Sequence, residues 1–395
     1  MRKDFMFTSQ SVTEGHPDKL CDQISDAIVD NFLQQDPFSR VITECAVSTG
    51  VVFIAARYAS DAKVDFADVA RKIIHHAGYD QDSFNAEDAT ILTSLSQLPP
   101  YESPPADERE MTDDEIELIK VKNQANAFGF ACNQTTAKMP LPIWLARRLS
   151  RRLSALRLES KMAYICPDGS TRVGIEYRDS KPYRIHSITL LVSQLAVDSV
   201  DAKTLREKII EHVIKPVFVR ESLQPDNKTE IFINPDGPFI EGGPSVHSGL
   251  TGRKNAVDTY GEYCRLSGSA LSGKDPTRID RIGAYAARYA AKNIVAAGLA
   301  EECEVQLSYC IGCAAPASIE IETFGTGVID EHDIVRRLKE NFDFRIGGII
   351  RDFNLRHLPS TIKGGFYRKL AASGHVGRMD IGLPWEKTDR AESLR

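Results

Sequence analysis

No apolar run in this chain approaches the roughly 18 residues that a membrane span requires, and Arg2 and Lys3 are not followed by the apolar core of a secretory leader. Positive charge is not in excess: 49 Lys and Arg stand against 55 Asp and Glu, a formal charge of −6. That balance excludes a nucleic-acid surface and makes local cationic clusters the informative feature. Disulfide density is missing too, since the eight cysteines are scattered through sequence that otherwise reads as core. Cys310-Ile311-Gly312-Cys313 has no second pair and no spaced histidines, so it reads as a strand interior rather than a zinc or redox centre. These absences predict a soluble, cytoplasmic protein in a reducing compartment, with a small-molecule partner, no nucleic acid and no membrane.

What is present begins with organisation. At 395 residues the chain exceeds one ordinary core, and three domains are expected. Leu20, Ile24, Ile28 and Phe32 lie four apart behind Pro17 and predict an amphipathic helix, with His16 and Asp18 at its positive end. Residues 41–58 are β-rich around the turn Ser48-Thr49-Gly50 and predict a hairpin. Helices are expected over 66–78, 142–158, 201–217 and 331–341, and strands over 172–177, 184–192, 231–233, 304–311 and 318–324. Asp280 is placed as the cap of a helix over 281–297 that Gly298 closes. Residues 99–122 carry four prolines and an acidic run and read as a linker or as a lid. The fold class expected is α+β, with sheets covered on one face by helices.

The chemistry concentrates in residues 267–281. Gly268 to Lys274 spells G-x-x-x-x-G-K, in which glycines admit backbone N–H groups to phosphate oxygens and the lysine neutralises them. Asp275 and Pro276 follow where a P-loop needs Ser or Thr and a helix, so phosphate binding is expected without the P-loop fold. Two more clusters mix cations with carboxylates, Gly15-His16-Pro17-Asp18-Lys19 and Gly252-Arg253-Lys254. A triphosphate carries about four negative charges, which Lys19, Arg253, Lys254, Lys274 and Arg278 offset, while Asp18 and Asp280 hold Mg²⁺ among phosphate oxygens.

Together with Leu250-Thr251-Gly252-Arg253-Lys254, Ser272-Gly273-Lys274-Asp275-Pro276, Ala284 to Tyr289, Gly374 to Arg378 and Pro384 to Lys387, these clusters resemble the S-adenosylmethionine synthetase family over nearly the whole chain. The resemblance implies three related domains in a pseudo-threefold arrangement, here 1–104, 123–241 and 242–395 with a mobile lid at 105–122. It implies a homodimer or dimer of dimers with shared active sites, two Mg²⁺ ions per site and K⁺. The activity implied joins ATP, L-methionine and water into S-adenosylmethionine, phosphate and diphosphate, by sulfur attack on C5′ and then hydrolysis of the tripolyphosphate. By resemblance His16 is the donor at O5′ and acts with Lys19 and Lys274; Asp168, Phe239, Arg253, Lys254, Lys274 and Arg278 bind ATP; Glu44 holds K⁺. Arg278 stands where the family usually has Lys.

Arg57, Gln97, Asn123, Gln124 and His247 fall in the implied nucleophile pocket. There the chain departs from the family: Arg57, Asn123, His247 and Gln10 each replace an acid, and Ser170 replaces a lysine that Arg172 partly compensates. Exchanging a carboxylate for Arg57 reverses the sign met by an ammonium group, worth several kcal/mol or on the order of a thousandfold in affinity. Two further readings follow: a divergent relative that adenosylates a desamino, keto or anionic thioether, and a non-catalytic regulatory relative.

Overall fold

Beside a two-stranded ribbon, Asp80–Gln81 with Phe84–Asn85, three larger sheets, each covered on one face by helices, build the chain, and each of the three takes a strand from a stretch of sequence distant from its other strands. The computed structural model describes residues 3–99 and 106–395. The first sheet runs Gly249–Leu250, Arg40–Ser48, Val51–Ala59, Thr90–Gln97, under the helices Pro17–Gln35 and Phe66–Ala77. The second runs Phe5–Val12, Ile165–Arg178, Lys181–Gln194, Glu230–Ile233, under Leu141–Leu158. The third runs Ser318–Glu322, Glu302–Tyr309, Ala125–Cys132, under Ile279–Ala297 and Glu331–Asn341. The exchange is cyclic: the N-terminal stretch lends a strand to the second sheet, the middle stretch to the third, and the C-terminal stretch to the first. This is the α+β architecture that the residues led us to expect, in the pseudo-threefold arrangement that the family resemblance implies, with none of the three sheets complete on its own.

The Pro17–Gln35 helix differs from the amphipathic stripe expected of it. Leu20, Ile24, Ile28 and Phe32 are fully buried, but so are Asp18, Asp22, Asp26 and Asp30 on the polar face. Spaced four apart, these carboxylates lie on one side of the helix and accept backbone N–H groups from chain segments remote in sequence. Leu250 donates to Asp18 (3.0 Å), Gly252 to Asp22 (2.7 Å), Gly273 to Asp26 (2.8 Å), and Tyr367 and Arg368 to Asp30 (3.0 Å each). The aspartate row is therefore a rack on which the glycine-rich loops are hung.

Several local expectations need correction. Asp280 is the second residue of its helix and Arg278 occupies the cap position, so Asp280 meets the positive helix end from within the first turn. Cys310 and Cys313 are exposed in a turn after Tyr309, not inside a strand, and all eight thiols are free. That turn exchanges hydrogen bonds with Val121, whose N–H donates to the Cys313 carbonyl and whose carbonyl accepts from the Gly312 N–H. The helix expected over 201–217 is interrupted: Pro216 has no N–H for the residue 212 carbonyl, and the backbone widens into a π turn at Ile210–Ile214 before Lys215–Phe218. The strands Phe5–Val12, Thr90–Gln97 and Ala125–Cys132 were not expected; their pairing partners are far away in sequence.

Of the expected lid, residues 100–105 lie outside the described residues. Within residues 106–122 most side chains are exposed, Leu118 at 74%, but three points are anchored: Glu108 and Arg356 form a buried ion pair at 2.6 Å, Asp107 accepts from His357 at 2.9 Å, and Ile116 is fully buried on the capped helix Asp113–Leu118. Among the described residues, no helix is long and apolar enough to cross a membrane.

The outer face of the first sheet is bare. Ala46, Phe53 and Leu92 form one cross-strand row there, Glu44, Ala55 and Ser94 the next, and Ile42, Arg57 and Ser96 a third. Phe53 is 42% and Leu92 50% exposed, an apolar surface of the kind that marks association.

Candidate functional site

His16 is the N-cap of the Pro17–Gln35 helix, and its Nδ1 accepts the Asp18 backbone N–H at 3.2 Å. In the neutral ring this leaves the proton on Nε2, which is thus a donor. Burial pushes the imidazole pKa down to about 4, so the ring is neutral at physiological pH. Gly15 is required by close approach, since a Cβ there would fall 2.2 Å from Pro167. Thr13 Oγ1 ties the same turn to the Pro167 carbonyl at 2.6 Å.

Around His16 the fold gathers most of the first expected set. Asp18, 2% exposed, meets Lys254 Nζ at 3.3 Å and Arg253 at 3.7 Å. Asp168 arrives from the Ile165–Arg178 strand, and its Oδ2 accepts from the Gly243 N–H at 2.9 Å and from His247 Nε2 at 2.8 Å. That bond to Asp168 raises the His247 pKa above its ordinary value. The His16 and His247 rings lie 4.9 Å apart. Phe239 is half-buried next to Asp168, close enough that a Cβ on Gly242 would meet both.

The glycine-lysine segment forms a second cluster. Lys274 bridges Ile42 at the edge of the Arg40–Ser48 strand, and the Thr43 N–H donates to the Gly273 carbonyl at 2.8 Å. Gly273 has φ 77°, and a Cβ there would lie 2.0 Å from the Thr43 carbonyl oxygen, so only glycine fits. Lys274 Nζ is 3.4 Å from Asp280 Oδ2, which also accepts from Asn123 Nδ2 at 3.0 Å. Burial lowers the Lys274 pKa. The buried polar atoms here without a partner include Asn123 Oδ1 and Arg278 Nε. An uncommitted amide oxygen beside a carboxylate suits a hard cation, and an uncommitted guanidinium N–H suits an anion. Asp280 with Asn123 therefore fits Mg²⁺, whereas the Asp18 carboxylate is already met by Lys254, Arg253 and the Leu250 N–H.

The family-like C-terminal motifs brace this segment from beneath. Tyr285 stacks on Trp385 with centroids 3.8 Å apart and hydrogen-bonds His375 Nδ1 at 2.8 Å. His375 in turn lies 3.4 Å from Ser272 Oγ. Arg281 grips Asp26 through two bonds of 2.5 and 2.6 Å and the Lys274 carbonyl at 2.6 Å. Neither Asp26 nor Arg281 was singled out in the sequence, although an aspartate every fourth residue in an apolar helix was a readable signal.

Not all expected residues join these clusters. Lys19 points inward: its fully buried ammonium pairs with Asp22 at 2.8 Å and Asp258 at 2.5 Å, so the expectation that it meets phosphate is corrected. Two carboxylates at that distance hold the lysine charged and occupy two of its three donors. Glu44 and Arg57 lie on the bare sheet face, and among the described residues neither side chain has a hydrogen-bond or ion-pair partner. One exposed carboxylate is too few oxygens for K⁺ within one chain. Gln97 and Gln124 are also exposed, and Arg172 is spent on Gln10 Oε1 at 3.0 and 3.2 Å. Ser170 is half-buried on the same pair of strands. No hydrogen bond or ion pair joins the His16 cluster to the Lys274 cluster among the described residues.

Family models fit the chain in three consecutive pieces. The S-adenosylmethionine synthetase N-terminal domain matches residues 4–100, the central domain 118–239 and the C-terminal domain 241–387. Proteins called S-adenosylmethionine synthase are similar along the whole length: one from Gloeothece citriformis is 48% identical, one from Trichormus variabilis 47% and one from Acaryochloris marina 48%. Each match covers 100% of this chain and 97% of the relative. With the two phosphate-type clusters and the three sheets in place, the chain belongs to the S-adenosylmethionine synthetase family.

Proposed function

We propose that the chain is an ATP-dependent methionine adenosyltransferase of the cytoplasm. It joins ATP and L-methionine into S-adenosylmethionine and hydrolyses the released tripolyphosphate to phosphate and diphosphate. The observation that carries this reading is His16: a buried, neutral imidazole whose Nδ1 is occupied by the Asp18 N–H and whose Nε2–H is free to donate. As the methionine sulfur bonds to C5′ and the C5′–O5′ bond breaks, negative charge grows on O5′. A donor aimed there strengthens in the transition state, which is the condition for raising kcat.

Arg253, Lys254, Lys274 and Arg278 orient the triphosphate and take up its charge, and the Lys274 ammonium keeps its proton through the Asp280 contact. Asp168 fixes the Gly243 turn beside Phe239, against which the adenine stacks. Mg²⁺ at Asp18 and at Asp280 with Asn123, when bound, neutralises the triphosphate oxygens. The bare sheet face and the separation of the two clusters support a homodimer, or a dimer of dimers, in which the His16 cluster of one copy meets the Lys274 cluster of the other. Arg57, Gln97, Gln124 and His247 then line the nucleophile's side, with Glu44 contributing to a K⁺ site. The name carried by the relatives favours methionine over a desamino, keto or anionic thioether, and a retained O5′ donor argues against a merely regulatory role.

The test is mass spectrometry of the product from ATP, Mg²⁺, K⁺ and methionine. The wild type yields S-adenosylmethionine, and His16→Asn lowers kcat by about 10²–10³ while ATP binding persists. No adenosylated methionine from the wild type, or an unchanged kcat in His16→Asn, overturns the reading.

A further inference from the structure

His247 stands where the family resemblance places an acid, and the substitution creates something an acid would not. One ligand atom each from His16, Asp168 and His247 lie within 4.8 Å of one another, and this is the one such trio of histidine, cysteine or carboxylate ligands among the described residues. The three converge from separate elements: a helix cap, a strand interior and the 242–248 turn. We propose that they form a binding site for a borderline transition dication such as Zn²⁺, distinct from the Mg²⁺ positions at Asp18 and Asp280.

The donor set decides the metal class. Two imidazoles and one carboxylate are the ligands of open tetrahedral zinc and of related first-row sites, whereas Mg²⁺ prefers oxygen throughout and holds its waters. Metal–ligand bonds of about 2.0–2.2 Å place ligand atoms some 3–4 Å apart, somewhat closer than the 4.8 Å within which the trio already lies. His247 and Asp168 are already 2.8 Å apart. Asp168 is positioned by the Gly243 N–H and by strand burial at 2% exposure, and the half-exposed His247 supplies the entry side.

An outer partner is close by. Binding at His16 Nε2 leaves the ring proton on Nδ1, and the Asp18 carboxylate, 3.7 Å away, accepts a hydrogen bond from it after a small rotation, in the carboxylate–histidine–metal arrangement. The 3.2 Å bond from the Asp18 backbone N–H is given up in exchange. Because Nε2 is also the atom proposed to donate to O5′, a dication held there blocks ATP at the adenosine end. That consequence rests on the proposed function; the binding itself does not.

The experiment titrates the full-length chain with Co²⁺ and then Zn²⁺, in a Cys310→Ser/Cys313→Ser background that removes the exposed thiol pair as a competing ligand. One equivalent of Co²⁺ is expected, with visible d–d bands, no thiolate charge-transfer band, and displacement by Zn²⁺ but not by excess Mg²⁺. His247→Asn and, separately, His247→Ala weaken Zn²⁺ binding by more than about a hundredfold, beyond what loss of an outer-shell partner costs, with circular dichroism unchanged. Imidazole NMR signals of His16 and His247 shift together on Zn²⁺ addition. Zn²⁺ binding equal to Mg²⁺ binding, or unaffected by both substitutions at 247, overturns the site. Zn²⁺ binding that leaves ATP affinity unchanged retains the site and instead overturns His16 Nε2 as the O5′ donor.

Discussion

Substituting Lys19 by Met separates the two roles that this residue could play. Its ammonium is fully buried and compensates Asp22 and Asp258, at 2.8 and 2.5 Å. Removing it strands two buried carboxylates, and breaking a buried pair in this way costs about 3–5 kcal/mol. Unfolding entropy near 2.1 cal/mol/K per residue amounts to about 0.8 kcal/mol/K over 395 residues, so the loss appears as a Tm drop of about 4–6 °C. A smaller cooperative unit gives a larger drop.

The pH dependence has a definite sign. Burial already holds the Asp22 pKa up to about 7. Without Lys19 it rises further, so the folded chain keeps a proton that the unfolded chain, with its carboxyls near 4, has lost. Stability of the variant therefore falls as pH rises from about 4 through 7, and its deficit against wild type is larger at pH 8 than at pH 5. Asp258→Asn in the Lys19→Met background recovers part of the loss. Differential scanning fluorimetry across pH 5–8, paired with turnover, is the assay. An unchanged Tm with kcat reduced a thousandfold would refute the structural role and return Lys19 to the phosphates.

Three other outcomes are expected. Mixing His16→Asn and Lys274→Ala subunits under exchange restores about a quarter of wild-type sites in a shared-site dimer, whereas no recovery in an activity assay means each chain holds its own site. Gly273→Ala costs at least about 1–2 kcal/mol from its left-handed backbone and forces a Cβ against the Thr43 carbonyl; more than a tenfold loss of ATP affinity by calorimetry is expected, and unaltered binding would contradict the loop geometry. By imidazole NMR, His16 stays neutral down to about pH 4, so its contribution to stability is full above about 6.5 and lost as pH falls through 4, while Asp168→Asn returns the raised His247 pKa towards ordinary values; a His16 titration near 6.5 would refute its burial.

Local pattern made much of this molecule legible. The hairpin at 40–59, the helices at 17–35, 66–77 and 141–158, and the Gly298 cap follow from periodicity, β-branching and glycine, which act over a few residues. The glycine-rich cation clusters were visible because phosphate binding needs that composition, and His16, Asp18, Arg253 and Lys254 do meet. The strands Phe5–Val12, Thr90–Gln97 and Ala125–Cys132 were missed because their partners are far away in the chain or carry weak alternation, and a strand is defined by what it pairs with.

The sequence by itself determined the charge inventory, the family and the loops that only glycine can form, because those depend on residue type and short spacing. Tertiary structure alone decided direction. It turned Lys19 inward to two aspartates, hung three loops on one face of a helix, left Arg57 and Glu44 on a bare sheet, and set His247 against Asp168 and His16. The physical reason is that a buried charge is placed by where its counter-charge arrives, and those partners come from up to 255 residues along the chain.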